Sequence, residues 1–310
     1  MPDTHLPSDP LWQRAAQWLV PASALGDAVP DLAVLGVPAH ATSITPTGAH
    51  ETPSAVRDAL LRYSTYAAAR GIDVAALVAA DFGDVVRPDG PEGEVRVAAA
   101  AARATASGAR LLVAIGGDNS ITCPLMRGLA GNAPLSDWGL ITVDAHHDLR
   151  DGISNGSPVR RLLEAGLPGD HVVQLGIADF SNSAAYAARA AEVGITVIHR
   201  AEFRRRPLAQ LVAYALDHAG AGQRPVYVDI DVDVCDRAAV PACPSAAPGG
   251  LSADELRELA FAFGRDQRVR AVDIAEVDAT TDAADRRTIR LAALVLLEAA
   301  AGLASRTILT

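Results

Sequence analysis

Gly139-Leu140-Ile141-Thr142-Val143-Asp144-Ala145-His146-His147-Asp148 starts as a buried strand and ends in metal-type ligands. Leu140, Ile141 and Val143 are apolar, with a β-branched bias that suits a strand. Side chains of an extended chain alternate faces, so Asp144, His146 and Asp148 are expected on one face and His147 on the other. Two carboxylates and an imidazole at the end of a buried strand are costly unless a positive charge lies between them. A divalent metal meets that cost. A surface turn with solvated charges is the alternative that this stretch alone leaves open.

A second stretch, Val226-Tyr227-Val228-Asp229-Ile230-Asp231-Val232-Asp233-Val234-Cys235-Asp236, is again an apolar strand running into acids. Asp229, Asp231 and Asp233 fall on one face, where their repulsion is severe without a cation. Helix capping explains one such aspartate, not three at alternate positions. Two acid-bearing strand ends predict a site at the carboxyl edge of a parallel sheet, where open α/β folds place their ligands. Oxygen-rich ligation with a single His suits Mn2+ or Mg2+ better than structural zinc.

The chain has 310 residues and is 50% hydrophobic, enough for a large core. Length alone leaves one or two domains open. A net charge of -10 argues against nucleic acid and anionic membranes as partners. Every basic residue besides histidine is Arg; there is no lysine. Cys123, Cys235 and Cys243 form no C-x-x-C pair, and their odd number and wide spacing suggest a reducing compartment. Residues 1–10 lack a basic stretch followed by an apolar one, so no secretory signal is expected. The longest apolar tract, Leu291 to Leu297, is cut by Glu298 and is too short to span a bilayer. A soluble, cytoplasmic protein is the expectation.

In order along the chain, residues 1–30 read as an N-terminal arm with a short helix around Leu11 to Val20. Strands are expected at 32–37, 74–82, 111–115, 139–148, 172–177, 195–198, 226–233 and 269–277. Helices are expected at 54–70, with Val56, Leu60 and Leu61 facing in, and at 93–107, 184–193, 208–219 and 288–301. A further helix opens after the turn at Ser154-Asn155-Gly156-Ser157-Pro158 and runs through Leu163. Ser252 and Glu255 have capping-box spacing at the start of another. Asp118, Asn119 and Ser120 follow Gly116-Gly117; they either cap a helix or present polar groups to a site. His40 and His50 lie in a loop and read as surface or packing residues. About eight strands alternating with helices give a three-layer α/β/α fold with a central, mostly parallel sheet over 1–310 as one domain.

These motifs, in this order, resemble the ureohydrolase superfamily of arginases, agmatinases and formimidoylglutamases. The resemblance rests on Pro46-Thr47-Gly48-Ala49, Pro53-Ser54-Ala55-Val56-Arg57, Gly116-Gly117-Asp118, Asp144-Ala145-His146-His147-Asp148 and Asp231-Val232-Asp233-Val234-Cys235-Asp236. It continues through Pro248-Gly249-Gly250-Leu251 to Glu276-Val277 and Asp282. It implies an arginase-like fold, a binuclear Mn2+ cluster and hydrolysis of a C–N bond in a guanidine or amidine. Asp144, His146, Asp148, Asp231 and Asp233 match metal ligands. Glu276 matches the acid that meets the cationic amidine, and Asp148 the acid that handles the proton of the attacking water. The resemblance further implies a homo-oligomer.

Two departures mark the chain. Asn119 stands where the family usually has a His ligand; an amide oxygen is a weaker donor, so the ion near Asn119 is expected to be the weaker of the two. Asn155 stands where arginases and agmatinases carry a His. The stretch from Ser154 to Arg160 and Asp148-Leu149-Arg150 are similar to the formimidoylglutamase subgroup. The expected reaction is hydrolysis of N-formimidoyl-L-glutamate to glutamate and formamide, a step of histidine breakdown. That small anionic amidine carries two carboxylates, for which Arg150 and Arg160 are the candidates beside Asn155; Arg161 reads as surface. The rivals are a guanidine hydrolase of the agmatinase or guanidinobutyrase type, and an arginase-fold pseudoenzyme or binding protein.

Overall fold

Alternation along the strands decides the layers. Val226, Val228 and Ile230 face one core, while Tyr227 between them faces the other. The same split puts Ile141 and Val143 against the first core and Leu140 against the second. A computed structural model describes residues 9–306. Its elements up to the middle of the chain are α1 (Ala15–Trp18), β1 (Val20–Pro21), β2 (Leu32–Val37), α2 (Thr52–Ala59), β3 (Tyr66–Ala67), β4 (Ile72–Asp73), β5 (Ala79–Asp84), α3 (Gly90–Ala106), β6 (Leu111–Gly116) and α4 (Thr122–Ala130). There follow β7 (Gly139–Val143), α5 (Pro158–Glu164), β8 (Val172–Ile177), α6 (Ala184–Glu192), β9 (Thr196–His199), α7 (Leu208–Ala219), β10 (Val226–Asp231), α8 (Ala253–Arg265), β11 (Val269–Ala275) and α9 (Arg287–Ala304).

Among the described residues, nine strands form one sheet in the order β1-β5-β2-β6-β11-β10-β7-β8-β9. Every pairing in it is parallel. Residues of α2, α7, α8 and α9 pack on one face and residues of α3, α4 and α5 on the other. This is the expected three-layer arrangement with one strand more than expected. The chain runs β6 to β7, moves outward through β8 and β9, then returns to lay β10 and β11 between them. The carboxyl ends of β6, β11, β10 and β7 therefore converge where the strand order reverses, the crevice in which such sheets bind ligands.

Several element boundaries differ from the sequence reading. The helix expected at 11–20 is a single turn, after which β1 adds a strand to the outer edge of β5. Trp18 anchors that turn by donating its indole N–H to Leu77 O at 2.9 Å. Part of the expected arm is thus built into the sheet, while residues 1–8 lie outside the described residues. The helix expected at 54–70 ends at Ala59 and passes through a 3-10 turn, Leu60–Arg62, into the β3–β4 hairpin. Leu61, expected inside, is 37% exposed as a result. Val74 opens a 3-10 turn rather than a strand, and β5 begins at Ala79. Helix α3 begins at Gly90, not Gly93, with Pro91 in the first turn where a missing N–H costs nothing. The two acidic strands also stop early: β7 ends at Val143, and Asp233 lies in a 3-10 turn after β10. Ser252 and Glu255 form the expected capping box on α8.

Candidate metal centre

Four chain segments meet at the crevice. Gly116 and Gly117 bring the end of β6 against residue 39 and β11. A Cβ on Gly117 would lie 1.8 Å from Ala39 O, so only glycine fits this crossing. Asp118 then caps the following turn, accepting from Ser120 N at 3.2 Å and from Ser43 Oγ at 2.7 Å. Of the two readings for this residue, the structure shows the cap.

The loop after β7 carries the ligand-type residues. It is held down by pairing with β8: Asp144 N donates to Leu175 O and Ala178 N to Ala145 O, both at 3.0 Å. His147 turns away from the acids, as expected, and its Nδ1 lies 2.6 Å from Gln174 Oε1. Asn182 grips the same loop, accepting from His147 N and donating to Ala145 O. Asp148 sits at φ +53° and Glu276 at φ +65°. Both are in the left-handed region that costs a non-glycine residue energy, and such strain gathers at functional sites.

In several carboxylates one oxygen is held and the other left open. Asp144 Oδ1 accepts from His146 N at 2.6 Å, and Asp233 Oδ1 from Ala145 N at 3.0 Å. Asp231 Oδ1 accepts from Asp233 N at 2.8 Å. Asp144 Oδ2, Asp233 Oδ2 and Asp229 Oδ1 are buried without an aligned hydrogen-bond donor. His146 Nδ1 lies 2.7 Å from Asp233 Oδ2 and 3.5 Å from Asp144 Oδ1. Ligand atoms of Asp144, His146 and Asp233 lie within 4.8 Å of one another, as do those of Asp144, Asp148 and Asp229. Orphaned, convergent carboxylate oxygens with one imidazole fit a pair of hard-to-borderline divalent cations such as Mn2+.

The electrostatics say the same. Burial, then Asp233, pushes Asp144 up to about 7. Burial and neighbouring acids also push Asp148, Asp229 and Asp231 well above the usual carboxylate range. His146 goes the other way from a buried imidazole: against the burial, Asp233 and Asp144 raise it to about 12. The neighbouring carboxylates thus favour positive charge at His146, a demand that a bound divalent cation would also meet. In return, and again against burial, His146 holds Asp233 down at about 2.

Above this floor is a cavity of about 440 Å3. His146, Asp148, Asp231, Asp233 and Glu276 form its base; Arg150, Thr45, Ser181, Ser183, Tyr186 and Ser245 are among its walls. Glu276 Oε1 accepts from Asn119 N at 2.8 Å and from Asn155 Nδ2 at 2.9 Å. Burial, then Asp118, raises its carboxyl to about 7.

Two sequence expectations, for Arg160 and Asn119, need correction. Arg160 does not reach the cavity: Nε donates to Arg150 O at 2.6 Å, and the remaining nitrogens bind Gly152 O and Glu164. It braces the 150–152 loop instead. Asn155 lines the cavity, with Nδ2 donating to Glu276 and Oδ1 accepting from Ile44 N at 3.1 Å, which leaves one N–H and one lone pair of its amide uncommitted. Asn119 turns its nitrogen, not its oxygen, to the acids: Nδ2 donates to Asp148 Oδ2 at 2.7 Å. An NH2 group has no lone pair for a cation, so this arrangement does not make Asn119 a ligand. Arg161 pairs with Glu94 at 2.6 Å, and His40 packs against His50 with ring centroids 4.5 Å apart and a 43° tilt; none of Arg161, His40 and His50 lines the cavity. Arg150 does line it and makes no side-chain hydrogen bond or ion pair with another described residue. The β8–α6 loop at 181–183 was missed. Its Ser-Asn-Ser carries no charge and no motif, and only the parallel neighbour β8 brings it to the site.

A family model described as the arginase family matches residues 30–302. The formimidoylglutamase of Halalkalibacterium halodurans is 34% identical over 285 residues, 88% of this chain and 87% of that protein. The crystal structure of Bacillus subtilis formimidoylglutamase superposes with a TM-score of 0.90 at 30% identity, covering 99% of this chain and 96% of that one. A Trypanosoma cruzi formiminoglutamase solved with Mn2+ shares the fold at TM-score 0.87 and 24% identity, covering 96% of this chain and 100% of that one.

Proposed function

The chain belongs to the arginase family, and on that premise we propose that it is a manganese-dependent formimidoylglutamase, converting N-formimidoyl-L-glutamate and water to L-glutamate and formamide. One observation carries the choice of substrate within the family. The acids lining the cavity are Asp148, Asp231, Asp233 and Glu276, all candidate metal or amidine partners, and among the described residues its one arginine is Arg150. A diamine-like guanidine would want acids there. A substrate with an amidine at one end and two carboxylates at the other wants the arrangement present.

Asp144, His146, Asp148, Asp231 and Asp233 would hold the metal ions. When bound, they supply a Lewis acid that lowers the pKa of water and stabilises charge on the reacting carbon's substituents. The chain's own residues do the rest. Asn119 N and Asn155 Nδ2 fix Glu276 Oε1, leaving Oε2 for the amidinium N–H groups. A cation there draws Glu276 back to its charged form, and the charge-assisted contact orients the planar amidinium. Water adds to the formimidoyl carbon, and the bond to the glutamate nitrogen breaks. Asp148, at the cavity base, takes the proton that the water loses and returns it to the leaving amine. Arg150 faces a substrate carboxylate across the cavity.

We read residues 1–310 as one domain and the protein as a cytoplasmic homo-oligomer. Three buried free cysteines support the compartment, and sedimentation tests the assembly. Among the described residues no helix is long and apolar enough to cross a membrane. The test of function is a substrate panel with added Mn2+, reading formamide, urea and ammonia separately. Formamide from formimidoylglutamate is expected to exceed urea from agmatine or arginine; faster turnover of agmatine overturns the assignment.

A further inference from the structure

Asp229 has no role in the reaction above, yet it is fully buried beside the metal centre. It lies on β10, two residues before Asp231 and on the same face of the sheet. Its Oδ1 has no hydrogen-bond partner. Its Oδ2 has only a long contact, 3.4 Å, from Asn119 Nδ2. One of its oxygens lies within 4.8 Å of oxygens of both Asp144 and Asp148. A carboxylate so placed pays the full cost of desolvation unless it takes a proton, shared with Asp273, or meets a cation.

Its neighbour across the sheet shows what a satisfied buried acid looks like here. Asp273, the register partner of Asp229 on β11, accepts from Tyr227 OH at 2.6 Å, Thr122 Oγ1 at 2.9 Å and Ile230 N at 3.3 Å. Asp273 is thereby committed to the protein. Asp229 has no such donors and faces the Asp144–Asp148 pair, where Asn119 contributes an N–H and no lone pair.

We propose that Asp229 is a metal ligand, completing with Asp144 and Asp148 an all-carboxylate site for the cation nearest Asn119. An additional anionic oxygen donor then takes over from the side chain at 119. This site is a harder, more anionic one than its neighbour built on His146 and Asp233, and it favours Mn2+ or Mg2+ over softer ions. The inference rests on the metalloenzyme reading given above.

The test is a titration of metal-free protein with Mn2+, counting tightly bound ions after dialysis, for wild type and Asp229→Asn. The amide keeps the shape and can still donate to Asp273. Wild type is expected to bind two ions. Asp229→Asn should keep one at wild-type affinity and bind the other on the order of 100-fold more weakly, since even groups one step behind a metal change affinity 10–100-fold. Unchanged affinities for both ions in Asp229→Asn would overturn the proposal and leave Asp229 as a protonated partner of Asp273. Binding of no Mn2+ by wild type would instead sink the metalloenzyme reading itself. Manganese-edge anomalous scattering from wild-type crystals covers a variant that fails to fold. An ion within oxygen-donor bonding distance of Asp229 Oδ1, about 2.0–2.6 Å, is expected; an ion beyond that reach overturns the proposal.

Discussion

Manganese affinity should fall steeply with acid, because binding must displace protons that the empty site holds. Asp144 at about 7 is protonated to roughly nine parts in ten at pH 6 and one part in ten at pH 8, a factor of ~10 in available carboxylate. His146, raised to about 12, carries its proton throughout this range and must lose it to offer a lone pair. That second proton adds about one further decade per pH unit. The sign is fixed: the metal competes with protons, so affinity rises with pH. Affinity should rise by about two decades per unit below pH 7 and about one above it, and the raised carboxyls of Asp148 and Asp231 add to the proton release. From pH 6 to 8 this amounts to roughly three decades, about 4 kcal/mol. Calorimetric titration in buffers of different ionisation enthalpy measures both the affinity and the protons released. Equal affinity at pH 6 and 8, with no proton release, refutes the view that these residues are the ligands.

Three further outcomes follow from the same geometry. The metal-free protein should lose thermal stability as pH rises from 5 to 8. Raised carboxyls such as Asp144 and Glu276 favour folding while neutral, below their unfolded values, and lose that advantage as pH climbs through about 7. The raised His146 contributes fully below its unfolded value near 6.5 and loses its share as pH climbs toward about 12. Saturating Mn2+ should remove this slope; a metal-free Tm that rises over the same window contradicts it. Second, Arg150→Ala should cost about 1.5–3 kcal/mol in kcat/KM for formimidoylglutamate, roughly 10–150-fold, and narrow its advantage over agmatine. Arg160→Ala should slow both substrates by a similar factor, because it loosens the 150–152 loop without removing a cavity charge. A selective loss of formimidoylglutamate in Arg160→Ala would return Arg160 to the substrate.

Strand alternation and acids at strand ends were legible in the chain because both are local. Val226 to Asp231 reads the same as a sequence and as β10. The face-sharing of Asp229 and Asp231 was also legible, although Asp233 lies in the turn beyond β10, and Asp229 was not singled out because the register opposite Asp273 exists only once β11 is in place. Arg160 failed for a related reason. Its place in the sequence puts it near the site, but a long side chain goes where carbonyls wait, and those of Arg150 and Gly152 are closer than the substrate. The early end of α2 was hidden because Leu60 and Leu61 continue a helical spacing that the hairpin after them overrides. Asn119 was read from its chemistry as an oxygen donor; its orientation is decided by Thr122, three residues on, and by Asp148 from the loop after β7.

The place of β11 bears on how the molecule is made. Among the described residues it is the last strand of the sheet in chain order, yet it lies between β6 and β10 in the middle of the sheet. Until it emerges, the two halves of the sheet have no shared strand and each presents an unpaired, apolar edge. Glu276 follows it directly, so the site formed with the candidate metal ligands on β10 and the loop after β7 stands incomplete until β11 is made. Such late, long-range closure slows folding and leaves sticky intermediates for longer. A chain stopped before Val269 would keep the metal-binding sequence motifs of both acidic strands and still lack the strand that joins them to Asn119.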